Sequence, residues 1–475
     1  MTVYGDAPPP DAAHRAAYAD AERTPFWLDV AEPPEPAPAL TEDTEAELVI
    51  VGGGFTGLWA ALLAKEERPE RDVLVLEAES AGFGASGRNG GFAMSSLTHG
   101  IDNGLARFPE EMETLERLGL ENLEAIVAAL ARHGIDCDYE PTGTIDVVTE
   151  PWQDTLPLEV AETGRRFGHD VEVLDGERVR AEIRSPLYRG GVRDRTGAAI
   201  LDPGKLARGL RAAALRLGVR LHEHTPVTGL TGSGTGVDAV APGGRVLAER
   251  ALLATSAYRP LLRSARMRIV PVYDYVLVTE PLDAERRSAL GWAGREGVGD
   301  MANQFHYYRL TADDRLLWGG YDAIYHFGNR VGAALEDRDE TYAMLSRNLF
   351  LTFPQLEGVR FSHRWAGPID TCSRFSVFFG TAHRGRTAYA LGYTGLGVAA
   401  TRFGARVALD LLDGRETEAT RLRYVRSKPI PFPPEPLRWG AIELTRRQLA
   451  AADRDGGRRG RWLRTLDRLG LGFDS

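Results

Sequence analysis

The amino-acid sequence predicts an α/β protein of two domains, one built on parallel strands and helices and one built on an antiparallel sheet. Three observations carry this prediction. The chain has 475 residues, which is more than a single hydrophobic core usually supports. Residues 47–92 open with a β-branched apolar run that leads directly into a glycine turn and a helical segment. Residues 269–282 alternate in part with a period of two, which is typical of antiparallel strands.

The glycine turn has the spacing G-x-G-x-x-G, with glycines at Gly52, Gly54 and Gly57. The first glycine allows a tight turn, the second lets the backbone approach a pyrophosphate, and the third lets the following helix pack close to the strand. A second apolar strand ends in Glu77, twenty residues beyond the last glycine, where a carboxylate can bind an adenosine ribose. This order indicates a Rossmann-like dinucleotide site; the alternative is a glycine-rich turn in an ordinary α/β domain.

A second glycine-rich stretch, AGFGASGRNGGF, covers residues 81–92. Glycines here can lay consecutive backbone N–H groups along a cofactor because they lack a Cβ, and Arg88 and Asn89 add further donors. The arrangement, and "GASGRNGGF" in particular, resembles the D-amino-acid-oxidase-like family of FAD-dependent oxidoreductases, closest to its gamma-glutamylputrescine oxidase branch. For this loop alone, the alternative is a flexible linker.

The segment 198–227 resembles the part of that family that returns the chain to the nucleotide domain. Asp202 and Pro203 provide a helix start, and a helix that ends at Gly218 is followed by a strand. The resemblance implies that the backbone of Val227 lies against the adenine. The alternative is a plain αβ unit without ligand contact.

The last motif, AYALGYTGLGV over 388–398, runs into a helix and is similar to the family's "GYsGhGv". Its glycine turn and helix start suit the electron-rich end of a reduced flavin. Leu396 stands where the family usually has histidine, so a polar role of that side chain is absent. The implied FAD-binding residues are Gly52, Gly54, Phe55, Thr56, Gly57, Glu77, Ala78, Gly84, Ala85, Ser86, Arg88, Asn89, Gly90, Gly91, Phe92, Val227, Gly392, Tyr393, Thr394, Gly395, Leu396 and Gly397.

Composition and charge exclude several classes of partner. A formal charge of −10 and a pI near 5.6 argue against nucleic acid. Two cysteines, Cys137 and Cys372, are too few for a disulfide framework or a zinc site, so we predict no metal and a reducing compartment. The N-terminus lacks a basic stretch followed by an apolar core, and no run reaches the length of a membrane span. We therefore expect a cytoplasmic enzyme.

The two ends of the chain are predicted to be arms. Prolines at positions 8–10 and 33–38 favour an extended N-terminal arm, in which Phe26 and Trp27 should pack on the folded body. The basic C-terminal tail could cover a surface, bind a partner or touch a membrane, and we favour packing within the chain. The predicted parts are an arm over 1–45, a discontinuous FAD-binding domain over 46–100, 185–260 and 385–415, a substrate domain over 101–184 and 261–384, and a C-terminal arm and tail over 416–475.

The resemblance implies an enzyme that oxidises a small-molecule amine or amino acid. The carbon next to a neutral amine would deliver a hydride to FAD, the imine would hydrolyse, and molecular oxygen would be reduced to hydrogen peroxide. Candidate catalytic residues lie on the sheet expected over the flavin and in the loop after the glycine-rich stretch: His306, Tyr308, Tyr321, Tyr275 and His99, with Tyr273 and Asp322 as further candidates.

The hairpin over 305–320 offers two faces, because side chains alternate along a strand. His306 and Tyr308 share one face, which we predict lines the pocket together with Tyr321. Phe305 and Tyr307 share the other face.

Two departures from the family bear on the chemistry. Some members place a lysine over the flavin to promote the reaction with oxygen, whereas this hairpin has Leu316, Leu317 and Trp318 and no lysine lies between Lys205 and Lys428. Some members tether the flavin through a cysteine, but Cys372 cannot be aligned to that position, so we predict non-covalent FAD.

Three hypotheses follow for the activity. The first is an amine oxidase. The second is a flavin-dependent amine dehydrogenase that passes electrons to a carrier or quinone, for which the basic tail offers a docking segment. The third is a flavin-binding interaction protein without turnover.

Overall fold

The computed structural model describes residues 2–258 and 260–472, and this part of the chain forms two large sheets connected by helices. The strands are β1 (Thr44–Val51), β2 (Val73–Leu76), β3 (Phe92–Met94), β4 (Thr144–Val148), β5 (Val171–Asp175), β6 (Gly190–Asp194), β7 (Ala198–Ile200), β8 (Arg220–His222), β9 (Gly229–Gly232), β10 (Val237–Ala241), β11 (Gly244–Leu253), β12 (Val270–Thr279), β13 (Gly297–Asp300), β14 (His306–Leu310), β15 (Leu316–Gly320), β16 (Ile324–Tyr325), β17 (Phe361–Thr371), β18 (Phe378–Ala382) and β19 (Thr387–Leu391).

The α-helices pack around both sheets. They are α1 (Ala12–Ala17), α2 (Phe55–Glu67), α3 (Ile101–Arg107), α4 (Met112–His133), α5 (Leu156–Arg166), α6 (Gly176–Glu182), α7 (Pro203–Arg216), α8 (Arg263–Arg266), α9 (Ala284–Leu290), α10 (Asp339–Thr352), α11 (Gly397–Asp413), α12 (Glu418–Arg421), α13 (Arg423–Arg426), α14 (Leu437–Arg454) and α15 (Arg461–Arg468). Among the described residues, none of them combines the length and the apolar character needed to cross a membrane.

Sheet I contains the glycine turn and has the strand order β18-β19-β11-β1-β2-β8, with β10 and β9 beside β11. Its central strands β19, β11, β1, β2 and β8 are parallel. The end of β1, from Leu48 to Val51, is buried, because α2 and its neighbours cover one face and a second apolar cluster covers the other. The helix α2 is buried on nearly all sides, which explains its uniformly apolar sequence.

Sheet II has the order β16-β12-β15-β14-β13-β4-β6-β5, with β17 alongside β12. The predicted hairpin is β14 and β15, which pair antiparallel with Tyr308 opposite Trp318. Among the strand pairs of this sheet in the described residues, β13 and β4 run parallel and the others are antiparallel. The predicted fold class, a Rossmann-like domain with a second domain on an antiparallel sheet, is therefore confirmed.

The chain passes from one sheet to the other near the predicted domain boundaries, but not at them. Strand β6 belongs to sheet II although it lies after residue 185, and β18 belongs to sheet I although it lies before residue 385. Helix α4, expected in the substrate domain, packs instead on the helices of sheet I: Asn122 Nδ2 donates to the Ala399 carbonyl at 2.9 Å. Its apolar stripe faces α11, and sequence periodicity cannot specify that partner.

The N-terminal arm is partly helical. Asp11 caps α1 through its side chain, which accepts from the N–H groups of Ala13 and His14, and the prolines lie outside this helix. Trp27 is buried and donates its indole N–H to the Asn89 carbonyl at 2.8 Å. Phe26 and Trp27 therefore pack on the rest of the protein, as predicted.

Candidate active site

One cavity of about 1450 Å³ is lined by residues of both sheets. Its lining combines the glycine turn after β1, the loop 83–92, the segment 226–228, the turn before α11 and the ends of several strands of sheet II. A volume above the usual range of small-molecule sites suits a dinucleotide together with a second ligand.

The glycine turn has the geometry that its spacing predicts. Gly52 has a φ of 107°, a conformation that favours glycine. A Cβ at Gly57 would collide with the Gly52 carbonyl oxygen, so this glycine is needed for close packing of α2 on β1. Gly54 is the N-cap of α2 and lines the cavity without a side chain across the helix end.

Glu77 follows β2 at the edge of the cavity. Its carboxylate accepts hydrogen bonds from the N–H groups of Gly53 at 2.5 Å and Glu79 at 3.0 Å, which ties the end of β2 to the glycine turn. Burial raises the pKa of Glu77 above its ordinary value. Ala78 and Val227 line the same end of the cavity.

The side chains of the second glycine-rich loop hold the loop in place. Ser86 Oγ accepts the Phe55 N–H at 2.8 Å, and Asn89 Nδ2 donates to the Ala85 carbonyl at 2.9 Å. Arg88 donates to the carbonyls of Phe83 and Ala366 and pairs with Glu336 at 2.7 Å. The predicted donors Arg88 and Asn89 therefore line the cavity while their side chains bond to protein acceptors.

The turn before α11 closes the cavity from the other side. The Tyr393 hydroxyl accepts from Thr56 Oγ1 at 2.9 Å, which joins this turn to the first glycine motif. The Gly392 N–H donates to Asp370 Oδ2 at 2.6 Å, and burial raises the pKa of Asp370 to about 7. Sequence analysis missed Asp370, a buried carboxylate near the end of β17.

Most of the implied cofactor residues line the cavity, and three glycines do not. Gly57, Gly91 and Gly392 lie behind the lining and shape the backbone; the last two have positive φ. The donor set of turn N–H groups, helix start and buried carboxylate fits a flavin adenine dinucleotide.

Comparison with known proteins identifies the family. The family described as DAO, FAD dependent oxidoreductase, matches residues 47–411, which include every cavity-lining motif named above. The chain belongs to this family. The cofactor of this oxidoreductase is accordingly FAD, and the predicted recognition, enzyme class and cofactor are confirmed.

Two curated proteins resemble the chain in sequence over most of its length. The oxidoreductase is 36% identical over 414 residues to gamma-glutamylputrescine oxidoreductase of Escherichia coli (strain K12), covering 84% of this chain and 90% of that protein. It is 30% identical over 388 residues to the probable oxidoreductase OrdL of Haemophilus influenzae (strain ATCC 51907 / DSM 11121 / KW20 / Rd), covering 79% and 85% of the two chains.

Solved structures share its fold. Glycine oxidase from Geobacillus kaustophilus superposes with a TM-score of 0.67 at 19% identity, covering 81% of this chain and 99% of that one. L-proline dehydrogenase from P. horikoshii gives a TM-score of 0.65 at 17% identity, covering 82% and 96%.

The structure contradicts the predicted face of the β14–β15 hairpin. His306 and Tyr308 are 0% and 1% exposed, neither belongs to the cavity lining, and Tyr308 is part of the core cluster of sheet II. His306 packs between the rings of Trp318 and Tyr321, with ring centroids 4.7 and 4.9 Å away. The rings of His306 and Tyr308 instead pack in the core, where His306 contacts Asn348 of α10 and Tyr308 packs against Phe353.

The opposite face of the hairpin lines the cavity through Phe305 and Tyr307. The Tyr307 hydroxyl donates to Asp274 Oδ2 at 2.5 Å, and both residues contact the cavity. Burial raises the pKa of Asp274 to about 6, and the Tyr307 hydroxyl opposes that rise. The Tyr307–Asp274 pair is a polar group that lines the cavity on its sheet II side.

The remaining predicted residues divide between cavity and core. Tyr321, Asp322, Tyr273 and His99 line the cavity, whereas Tyr275 does not and donates to the Leu335 carbonyl at 2.8 Å. Burial and the charge of Arg107 lower the pKa of His99 to about 4, so its ring is neutral at pH 7. Burial raises the pKa of Tyr321 to about 12.

Two carboxylates that sequence analysis missed lie on neighbouring strands at the cavity wall. Asp146 on β4 faces the parallel strand β13, which ends in Asp300. Asp300 Oδ2 accepts from the backbone N–H of His306 at 2.9 Å and lies 3.1 Å from His306 Nδ1, while Asn348 Nδ2 lies 3.1 Å from His306 Nε2. His306 therefore holds the fully buried carboxylate of Asp300 inside the cavity wall.

Asp146 differs from Asp300 because its carboxylate has no hydrogen bond or ion pair within the described residues. Burial, together with the charges of Asp194 and Asp300, raises the pKa of Asp146 to about 7. A cavity carboxyl group that titrates near neutral pH can hold a cation or exchange a proton with a ligand.

The cysteines and lysines lie away from the cavity lining. Cys137 and Cys372 are buried and free, and neither contacts the cavity. Lys65, Lys205 and Lys428 are also outside the lining. Among residues 2–258 and 260–472, no group of three or more histidine, cysteine or acidic side chains is arranged to hold a metal ion.

Proposed function

We propose that this oxidoreductase is an oxidase of a primary or secondary amine or amino acid, with release of an imine that hydrolyses and with reduction of oxygen to hydrogen peroxide. The observation that carries the proposal is the pair of carboxylates, Asp146 and Asp274, in the lining of a cavity shared with the FAD-binding turns. These groups attract a cationic nitrogen and can remove its proton.

The charge balance of the cavity supports an amine over a carboxylate-bearing ligand. Among the described residues, the lining contains two arginines, Arg88 and Arg446, which are paired with the carboxylates of Glu336 and Asp322 respectively. A substrate carboxylate would compete for arginines already in use, whereas an ammonium group would meet unpaired negative charge at Asp146. Amines without a carboxylate beside the nitrogen should therefore be preferred.

The chain's own residues have separable tasks in this proposal. Bound FAD supplies the hydride acceptor. Asp146 takes the ammonium proton, because only the neutral amine releases a hydride from its adjacent carbon. Tyr307 and Asp274 orient the substrate from the floor of the cavity, and Phe92 contributes apolar surface beside them.

The relatives support the same chemistry. The names gamma-glutamylputrescine oxidoreductase and glycine oxidase belong to proteins that resemble this chain in sequence and fold respectively. Neither cysteine is part of the cavity lining, which supports non-covalent FAD, and their free, buried thiols suit a cytoplasmic enzyme.

The test is anaerobic bleaching of the bound flavin by a panel of polyamines, N-methyl amino acids and D-amino acids. We expect polyamines to bleach the flavin fastest and air to restore the colour with formation of hydrogen peroxide. A panel in which nothing bleaches a fully loaded protein would overturn the proposal and favour a flavin-binding protein without turnover.

A dehydrogenase is the second candidate, and one observation favours it. None of the three lysines lines the cavity, so the group that some relatives of this fold use to promote the reaction with oxygen is lacking there. Reduced enzyme should then react slowly with air and rapidly with a quinone. Comparing the two reoxidation rates after the same amine has reduced the flavin separates the two candidates.

A further inference from the structure

The C-terminal helices α14 and α15 lie outside the matched family region, which ends at residue 411, yet they form part of the active-site cavity. The sequence alone predicts an arm and a basic tail there. The residues of this segment that line the cavity are Ala441, Ile442, Thr445, Arg446, Leu449, Trp462, Leu466, Leu469 and Leu471.

The helix pair is attached to the substrate end of sheet II by polar contacts. Arg446 Nη1 lies 3.0 Å from Asp322 Oδ1, next to the cavity-lining Tyr321. The Asp453 carboxylate accepts the backbone N–H groups of Asn303 and Gln304, each at 3.0 Å, just before β14. These contacts hold α14 over the strand ends that carry the candidate substrate residues.

The two helices are also joined to each other. The Trp462 indole N–H donates to Thr445 Oγ1 at 2.9 Å, and both residues line the cavity. The pair is therefore one unit, with a common inner surface, rather than two separate segments.

The inner surface of the pair is mostly apolar. Ile442, Leu449 and Leu466 line the cavity and keep part of their side chains accessible, whereas Leu444 and Arg447 on α14 are exposed outside it. Partly uncovered apolar side chains inside a cavity gain stability when an apolar group covers them. Asp146 and Asp274 of sheet II line the same cavity.

We propose that the α14–α15 pair selects the substrate: its apolar inner surface holds an alkyl or aryl substituent of the amine. The carboxylates of sheet II hold the nitrogen of the same molecule. The part concerning the amine rests on the proposed function, whereas the part concerning the apolar wall rests on the geometry of the pair alone.

The first test measures dissociation constants of four probes for the full-length holoenzyme by titration calorimetry: propylamine, hexylamine, propanol and hexanol. Hexyl probes should bind at least about tenfold more tightly than propyl probes of the same head group, because three more methylenes are buried. The alcohols report on the wall without requiring oxidation of an amine.

Leu449→Ser should reduce the preference for hexyl probes by about threefold or more, because it removes apolar surface from the wall. Leu444→Ser is the matched control: it makes the same substitution on the exposed side of the same helix and should leave the preference unchanged. Flavin content and melting temperature establish that both variants are folded.

The outcomes separate the wall from the proposed function. The proposed apolar wall is contradicted if hexanol binds no better than propanol. It is also contradicted if Leu444→Ser and Leu449→Ser lower the preference for hexyl probes equally. Tight hexylamine binding without flavin reduction, in a protein that no amine in the larger panel bleaches, leaves the wall standing and overturns the amine oxidase.

A second test measures acrylamide quenching of the flavin fluorescence. Arg446→Met removes the contact with Asp322 and should raise the quenching constant, because the pair then covers the cavity less firmly. Arg447→Met keeps the Arg446–Asp322 contact and should match the wild type. Equal quenching in both variants would contradict a covering role for α14.

Discussion

At the scale of single residues, Gly54 is a cavity-lining position where a side chain should prevent cofactor binding. A Cβ there would lie 2.9 Å from Ser86 Oγ, which accepts the Phe55 N–H, and would enter the space beside the start of α2. We expect Gly54→Val to be purified without yellow colour. Gly440→Ala, at a glycine with nothing within 4 Å of the added Cβ, should retain full FAD. The absorbance at flavin wavelengths decides the matter, and a fully loaded Gly54→Val protein would refute the assignment.

Asp146 should set the pH dependence of flavin reduction. Its carboxyl has a pKa of about 7, so below that pH it is protonated and cannot accept the ammonium proton. The anaerobic reduction rate should rise with pH through about 7, and Asp146→Asn should lower the rate at pH 8 by about a hundredfold and flatten the profile. The control Glu159→Gln changes an exposed carboxylate of the cavity lining and should preserve the profile.

The same shift predicts an effect on stability. The pKa of Asp146 rises from 3.8 to about 7 on folding, so its contribution to stability is fully present below the unfolded value and is lost as pH rises through the folded value. Asp146→Asn should therefore raise the melting temperature at pH 8 relative to wild type, and much less at pH 4. The loss is on the order of 1 kcal/mol per pKa unit before solvent screening. An equal change in melting temperature at both pH values would show that Asp146 is not desolvated.

At the scale of secondary-structure elements, the β14–β15 hairpin separates catalysis from packing on its two faces. Tyr307→Phe removes the hydroxyl that bonds to Asp274 in the cavity and should slow anaerobic reduction by about tenfold, since hydrogen bonds to charged groups contribute about 1.5–3 kcal/mol. Tyr308→Phe removes the hydroxyl that bonds to Tyr188 at 2.6 Å in the core. It should lower stability by about 1 kcal/mol and leave the reduction rate unchanged. Stopped-flow reduction and thermal unfolding of both variants provide the comparison.

The reverse result would restore the face that sequence analysis chose. His306→Ala gives a further check, because truncating a buried ring costs roughly 2–5 kcal/mol and also removes the support of Asp300. A His306→Ala protein with wild-type melting temperature would contradict the core position of this side chain.

At the scale of the whole molecule, the cavity that fits FAD is lined by residues of both sheets, so removal of FAD should destabilise the protein globally. Adding FAD to the apoprotein at about a hundred times its dissociation constant should contribute about 2.7 kcal/mol. We expect a single higher melting transition on addition of FAD and a smaller shift with ADP, which can occupy only the Glu77 end. A second, unshifted transition would show that sheet II unfolds independently of the cofactor site.

The cofactor site was largely predictable because its determinants are local. The spacing of Gly52, Gly54 and Gly57 reflects a backbone turn that only glycine allows, and the structure shows the positive φ and the close contact that require it. The substrate site was less predictable. Alternation along β14 identifies two faces, but an aromatic residue suits a buried core as well as a ligand, so the pattern does not say which face is which.

By itself, then, the sequence determined the family, the cofactor and the order of strands and turns that hold it, since each depends on residues close together in the chain. Only the tertiary structure brought Asp146 beside Asp300 on strands β4 and β13, some 150 residues apart in sequence, and placed Leu449 over the cavity. These contacts depend on strand pairing and helix docking between distant segments. The free energy of such contacts comes from burial and complementary charge across the whole molecule, and no local pattern encodes it.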